Sequence, residues 1–331
     1  MNTRRHFLAA LGLAALTAPL RATAQQSPKI PRIGFLAGRT RSAASNPDVN
    51  YDAFIEGMRE LGYVEGKNLI IEWRFADGYN ERLPGLAAEL VRSKVDLIAT
   101  HSTAGTQAAQ RATATIPIVT ALAGDPVGSG FAASLARPGG NVTGLSNIII
   151  DLSPKQIELL KIFIPRLNRV AFLMNPDNPF YSSVLQTLRA SAKAVGASVS
   201  PVGARSFEEA ERGIAMMRKQ RVEAVILTGD NLFYVHRRQL AELFLKARIP
   251  SMLSRREIVV AGGLMSYGPD TTDSYRRAAT YVDKILKGAN PGELPFEQPT
   301  RFYLTINNRT AKALGLVIPP ELQLRADEVI E

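Results

Sequence analysis

Short apolar runs alternate with amphipathic stretches from Pro31 almost to the C-terminus, and that alternation predicts a chain of strands and helices in turn. Residues 33–37 (IGFLA) predict a strand. Residues 51–61 predict a helix with Phe54, Ile55, Met58 and Leu61 on one face, stopped by Gly62. A strand at 69–75 and a helix at 82–93 follow, then strands at 95–99, 116–122 and 141–145. Apolar strands separated by amphipathic helices call for a parallel sheet with helices on both faces.

After Ser146 the series restarts. Ser153-Pro154-Lys155-Gln156 has the form of a capping box with proline at the first helical position, predicting a helix to Phe163. Strands are expected at 169–174, 197–202, 223–228, 249–253 and 263–268. The helices between them are opened by Asn178-Pro179 and by Ser206-Phe207-Glu208-Glu209, and a third runs over 232–247. Two similar series of five strands predict an α/β protein of two Rossmann-like lobes. A helix over 272–286 and a strand over 300–307 remain. Residues 270–331 are too few for a core of their own, so they are expected to return to a lobe. The expected division is 30–146 with 270–331 in one lobe and 147–269 in the other. A chain that crosses between lobes more than once builds a hinge.

Open α/β sheets bind ligands beyond the carboxyl ends of their strands, and the polar residues there are the candidates for a site. Ser102 and Thr103 open the helix after the strand at 95–99, where unpaired N–H groups and the helix dipole favour an anion. A serine or threonine at such a point is more often only an N-cap. Asp125 starts the polar turn and short helix after the next strand, and His101 ends a strand where a ligand hydrogen bond is within reach. Asp230, at a strand end in the second series, either caps a helix or faces Ser102 and Thr103 across a cleft. Phe35 and Tyr267 are candidates for an apolar or stacking wall, although Phe35 is better suited to the core, as is Trp73 in mid-strand.

The stretch AGDPVGSGFAASLARPGGNVTGLS (123–146) resembles the signature of a family of ABC-transporter substrate-binding proteins that includes tryptophan- and tyrosine-binding members. The likeness continues through IGFL (33–36), GDN (229–231) and RFYLTIN (301–307). The resemblance implies the type I periplasmic binding protein fold, two parallel-sheet lobes joined by a hinge. It further implies capture of a small molecule, an amino acid or related carboxylate, for an ABC permease in the inner membrane, without catalysis or cofactor.

Composition narrows the alternatives. With 331 residues, 46% of them hydrophobic, the chain can bury two cores. Residues 1–24 have a basic start containing Arg4-Arg5, an apolar run over 7–16 and a small-residue site at Ala22-Thr23-Ala24. They predict a signal peptide, of twin-arginine or general secretory type, cut before Gln25. The apolar run is shorter than the roughly 20 residues that span a bilayer. The absence of cysteine excludes disulfides, thiol catalysis, cysteine metal sites and a lipid-anchored cysteine, so a free periplasmic monomer is expected. The net charge of +10 includes three leader arginines, and the remaining basic residues are scattered among acids, so no nucleic-acid partner is expected.

Gly128-Ser129-Gly130-Phe131-Ala132-Ala133 fits a dinucleotide-binding turn, with Asp151 at about the distance of a ribose-binding acid. Yet it follows the fourth strand, and the first βα turn, LAGRTRSA, lacks the fingerprint. A dehydrogenase-type enzyme is one alternative, and a soluble sensor subunit delivering ligand to a membrane receptor is another. His101 and His236, the histidines beyond the leader, lack metal-ligand spacing, and His236 is expected on a solvated helix face.

Overall fold

A computed structural model describes residues 29–41, 48–178 and 180–331. The expected leader and its cleavage point lie outside the described residues. Residues 31–331 form one compact unit.

The first lobe is built from β1 (Arg32–Ala37), α1 (Val49–Glu60), β2 (Ile70–Phe75), α2 (Leu83–Arg92), β3 (Leu97–Thr100), α3 (Thr103–Ala112), β4 (Ile118–Gly124) and β5 (Val142–Asn147). Its strands lie in the order β2-β1-β3-β4-β5, all parallel. Alternate residues of β1 go to opposite faces. Ile33, Phe35 and Ala37 join a core with Tyr51, Phe54 and Met58 of α1, whereas Leu36 packs with Leu83 and Leu90 of α2.

The second lobe repeats the plan with α4 (Ile149–Phe163), β6 (Arg169–Met174), α5 (Phe180–Ala194), β7 (Ser198–Gly203), α6 (Phe207–Lys219), β8 (Ala224–Leu227), α7 (Asn231–Val235), α8 (Arg237–Ala247), β9 (Ser251–Leu253), α9 (Arg256–Val260) and β10 (Met265–Pro269). Then come α10 (Thr271–Leu286), β11 (Phe302–Asn307), α11 (Asn308–Leu314), α12 (Pro320–Arg325) and β12 (Glu328–Ile330). The second sheet runs β12-β11-β10-β9-β8-β6-β7, so β7-β6-β8-β9-β10 reproduces the order of the first.

The C-terminal segment differs from expectation. α10 packs on the first lobe, its Tyr275, Ala278 and Val282 joining the core under β1, and Phe296 also lies in that lobe. From Phe302 onward the chain extends the second sheet instead, because β11 pairs antiparallel with β10, placing Phe302 opposite Pro269. The returning chain meets the edge strand it had just left. The lobes are therefore joined by three crossings, at 147–148, 269–270 and 298–301.

Three local expectations also change. α4 starts at Ile149, and Ser153 lies inside it, donating to the Ile149 carbonyl instead of capping. Ile149 and Leu152 are buried, so apolar burial extends the helix past its cap signal. Residues 125–138 form turns and no helix, with Asp125 and Gly130 at positive φ and Pro138 ending the segment. The expected helix over 232–247 is split at His236, whose half-buried ring stacks on Phe207 at 4.7 Å and is not on a solvated face.

Gly144 shows why the segment before the first crossing tolerates little change. Its φ is +135°, and a Cβ there would lie 2.1 Å from the Thr120 carbonyl of β4, next to the register shift between Thr120 and Ala123. Gly144→Ala is expected to lower the unfolding free energy by about 1–3 kcal/mol. Urea denaturation checks this, and an unchanged midpoint would show that the two strands separate freely at this point.

Candidate functional site

Both sheets have the strand order 2-1-3-4-5, which changes direction between β1 and β3 in the first lobe and between β6 and β8 in the second. Ligand crevices form outside the carboxyl ends of strands at such a reversal. The two reversals face each other, and the cavity between the lobes is lined from both sides. Arg39 follows β1 and His101, Ser102 and Thr103 follow β3, while Asn178 follows β6 and Asp230 follows β8. Side chains meet across it, with Asn231 Nδ2 3.0 Å from Asn80 Oδ1 and 3.4 Å from Ser102 Oγ.

Arg39 is only 2% exposed. A buried guanidinium needs an answering charge, and Asp48 supplies it through two bonds, Nε to Oδ2 at 2.7 Å and Nη2 to Oδ1 at 3.0 Å. Asp48 also accepts from the Asn50 N–H and so caps α1. The guanidinium lies over the rings of Tyr51 (5.0 Å), Tyr275 (5.6 Å) and, from the other lobe, Tyr234 (4.2 Å). Burial pushes the Tyr234 hydroxyl up to about 12, so that ring stays neutral.

His101 is 1% exposed. Its Nε2 accepts from the Gly38 N–H at 3.0 Å and touches the Tyr51 hydroxyl at 3.1 Å. An amide donor facing Nε2 requires a lone pair there, which puts the ring proton on Nδ1. Nδ1 is buried and has no hydrogen-bond partner. Burial, reinforced by the charges of Arg39 and Arg255, holds the imidazole well below its ordinary pKa.

Ser102 caps α3, accepting from the Gly105 N–H at 3.1 Å. Thr103 Oγ1 accepts from the Gly124 N–H at 2.9 Å, leaving its hydroxyl hydrogen without an acceptor among the described residues. Asp230 is 6% exposed and caps α7 by accepting from the Leu232 N–H at 3.0 Å. Burial raises its pKa, opposed by that N–H and by the amides of Asn175, Asn178 and Asn80 around it. Ser102 and Asp230 thus act as caps and Thr103 holds the end of β4, while all three line the cavity as well, so structural and lining roles are compatible.

Three sequence candidates lie away from this cavity. Phe35 is 1% exposed, stacked on Trp73 at 4.6 Å with Tyr51 and Phe54 edge-on, because it points to the face of β1 that α1 and α10 cover. Tyr267 packs at the edge of the second core beside Phe302 (6.1 Å), on the opposite face from its neighbours Ser266 and Gly268. Asp125 lines a separate depression beyond Phe180, its Oδ1 taken by the Gly128 N–H at 2.9 Å.

Residues absent from the sequence-based set are Arg39, Phe180, Tyr181, Tyr234 and Arg255, all lining the cavity. Arg39 and Arg255 stand just beyond the carboxyl ends of β1 and β9, so the rule that singled out Asp230 would have found them had it been applied to basic residues. Among the described residues no group of histidine and acidic side chains is arranged to hold a metal ion, and no helix is long and apolar enough to cross a membrane.

The profile of a family described as ABC transporter substrate binding protein matches residues 45–330. A Tyrosine-binding protein of Clostridioides difficile (strain R20291) is 28% identical over 264 residues, spanning 80% of this chain and 75% of that one. A solved ABC domain in complex with L-Trp from Streptococcus pneumonia has a TM-score of 0.82 at 24% identity, covering 91% of this chain and 99% of the other. A conserved domain protein from Vibrio cholerae reaches 0.83 at 26% identity, over 91% and 100%.

The neutral His101 links stability to pH. As pH falls through the ordinary imidazole value of 6.5, the unfolded ring takes up a proton and the folded one does not, so its contribution is full above that value and declines below it. His236, also lowered by burial, adds a decline of the same sign, while the raised Asp230 acts in the opposite sense and only in the acid range above its ordinary 3.8. The melting temperature is expected to fall between about pH 7.5 and about pH 5.5, and to fall less in His101→Gln. Equal declines in the two proteins, measured by calorimetry, would mean that His101 contributes nothing to the slope.

Proposed function

Since the chain belongs to the family of ABC transporter substrate-binding proteins, we propose that it captures an amino acid between its lobes in the periplasm and hands it to the permease of an ABC importer. The observation that carries the choice of ligand is the pair of opposite charges flanking one cavity. Among the described residues, Asp230 is buried with one donor at full hydrogen-bond distance, and Arg255 has no carboxylate within 4 Å. An amino-acid zwitterion answers both. Tyr234, Tyr181 and Phe180 add aromatic wall on the second-lobe side, in keeping with a relative that is named for tyrosine. Export is supported by the basic, apolar and small-residue plan of residues 1–24.

In this reading the three crossings act as the hinge and ligand holds the lobes together. Calorimetry against L-tyrosine, L-tryptophan and the other amino acids is expected to find a ligand without turnover, and X-ray scattering a smaller radius of gyration once it is bound. A ligand recovered as a new compound would overturn the proposal.

Asp230→Asn keeps the cap but removes the charge that pairs with the ammonium. It is expected to weaken amino-acid binding by about a hundredfold or more, as breaking a buried pair costs about 3–5 kcal/mol. Stability of the free protein should change by less than about 1 kcal/mol, because asparagine caps as well as aspartate. Undiminished affinity would remove Asp230 from the site.

A further inference from the structure

Of the two guanidiniums at the cavity, Arg39 is answered by Asp48 in full, and Arg255 is not. Arg255 stands beyond the end of β9 in the second lobe, lying against Gly229 so closely that a Cβ on that glycine would be 2.5 Å from Nε. The Tyr234 ring is 5.7 Å away, no described carboxylate comes within 4 Å, and Nη1 is buried without a partner. From the first lobe the same cavity receives His101, whose buried Nδ1 carries a proton and has no acceptor. Beside it is the uncommitted hydroxyl hydrogen of Thr103. Donors without acceptors therefore converge on one cavity from both lobes, and a small anion with two or more lone-pair directions satisfies them together.

We propose that the ligand carboxylate bridges the lobes, held by Arg255 from the second and by His101 and Thr103 from the first, and that this bridge locks the closed form. Ser102 is then a helix cap that shapes the wall, its Oγ already engaged by Gly105 and near Asn231. Asp230 lies in the same lobe as Arg255, so an ammonium on Asp230 gives affinity without drawing the first lobe in. This assignment rests on the cavity being the ligand site proposed above and adds which end of the ligand does the closing.

The test compares L-tyrosine with tyramine, which lacks the carboxylate, and 3-(4-hydroxyphenyl)propionate, which lacks the ammonium, by calorimetry and X-ray scattering on wild type, Arg255→Met, Arg255→Lys and His101→Phe. L-Tryptophan, tryptamine and 3-indolepropionate form a parallel set. In wild type the amino acid is expected to bind and compact the protein, and the amine to bind weakly with no change in radius. Arg255→Met is expected to lower amino-acid affinity roughly ten- to a hundredfold, the range for hydrogen bonds to a charged group, and to leave the amine unaffected. Arg255→Lys should recover part of the loss, and His101→Phe should show a smaller loss with the same ligand dependence.

An amine that compacts the protein, or an acid-to-amine preference unchanged by Arg255→Met, overturns the bridge while leaving the cavity as the site. Binding of the propionate but not the amino acid, lost in Arg255→Met, supports the bridge and overturns the amino-acid proposal. Failure to bind any of these carboxylates or any other amino acid overturns both.

Discussion

The cleft depends on the buried ion pair of Arg39 and Asp48. A guanidinium that is 2% exposed is tolerable only with its charge answered and its faces covered. Asp48 answers it with both oxygens and, through the same side chain, fixes the start of α1. Tyr51 and Tyr275 come from two elements of the first lobe and Tyr234 from the second, so one cation organises the loop after β1, two helices and the opposing wall. It also sets the electrostatics above it, because its charge adds to burial in keeping His101 neutral. A neutral imidazole that spends its lone pair on Gly38 has its N–H left to spend elsewhere.

Arg39 and Arg255 illustrate how identical side chains divide into framework and site. Each stands just past the carboxyl end of a strand, Arg39 after β1 and Arg255 after β9, the counterpart of β4 in the second sheet. What separates them is the partner. Arg39 has a carboxylate nine residues away in the chain, whereas the nearest described acids to Arg255 stay beyond ion-pair distance. Both guanidiniums lie over the same ring, Tyr234, at 4.2 Å for Arg39 and 5.7 Å for Arg255.

Much of the architecture was legible in the sequence because burial on both faces of a parallel sheet imposes continuous apolar strands, as in β1, β4, β6 and β8, while edge strands such as β7 (SVSPVG) read as strands from their place in the alternation. β11 read as a strand too, but its destination did not. Pairing of Phe302 against Pro269 is a long-range event with no local signal, so residues 301–331 were assigned to the wrong lobe. The start of α4 was missed because the buried side chains of Ile149 and Leu152 outweigh the cap pattern at Ser153. At the cavity, the polar strand-end candidates that lie near the reversals of strand order, His101, Ser102, Thr103 and Asp230, are among the lining residues. Phe35 failed because a side chain one pleat from the end faces the core, and Tyr267 because strand alternation turns it to the other face.

The path of the chain through the two lobes also governs how they can be made. The first lobe lacks the face formed by Tyr275, Ala278 and Val282 until α10 has been synthesised, although its sheet ends at Asn147. The second lacks its outer two strands until residue 330. A nascent chain halted anywhere before about residue 286 therefore contains two unfinished cores and no finished one. Such interleaving delays stable structure until translation is nearly complete and sequence-distant contacts can form. It also means that a proteolytic fragment corresponding to either half of the sequence does not correspond to a lobe.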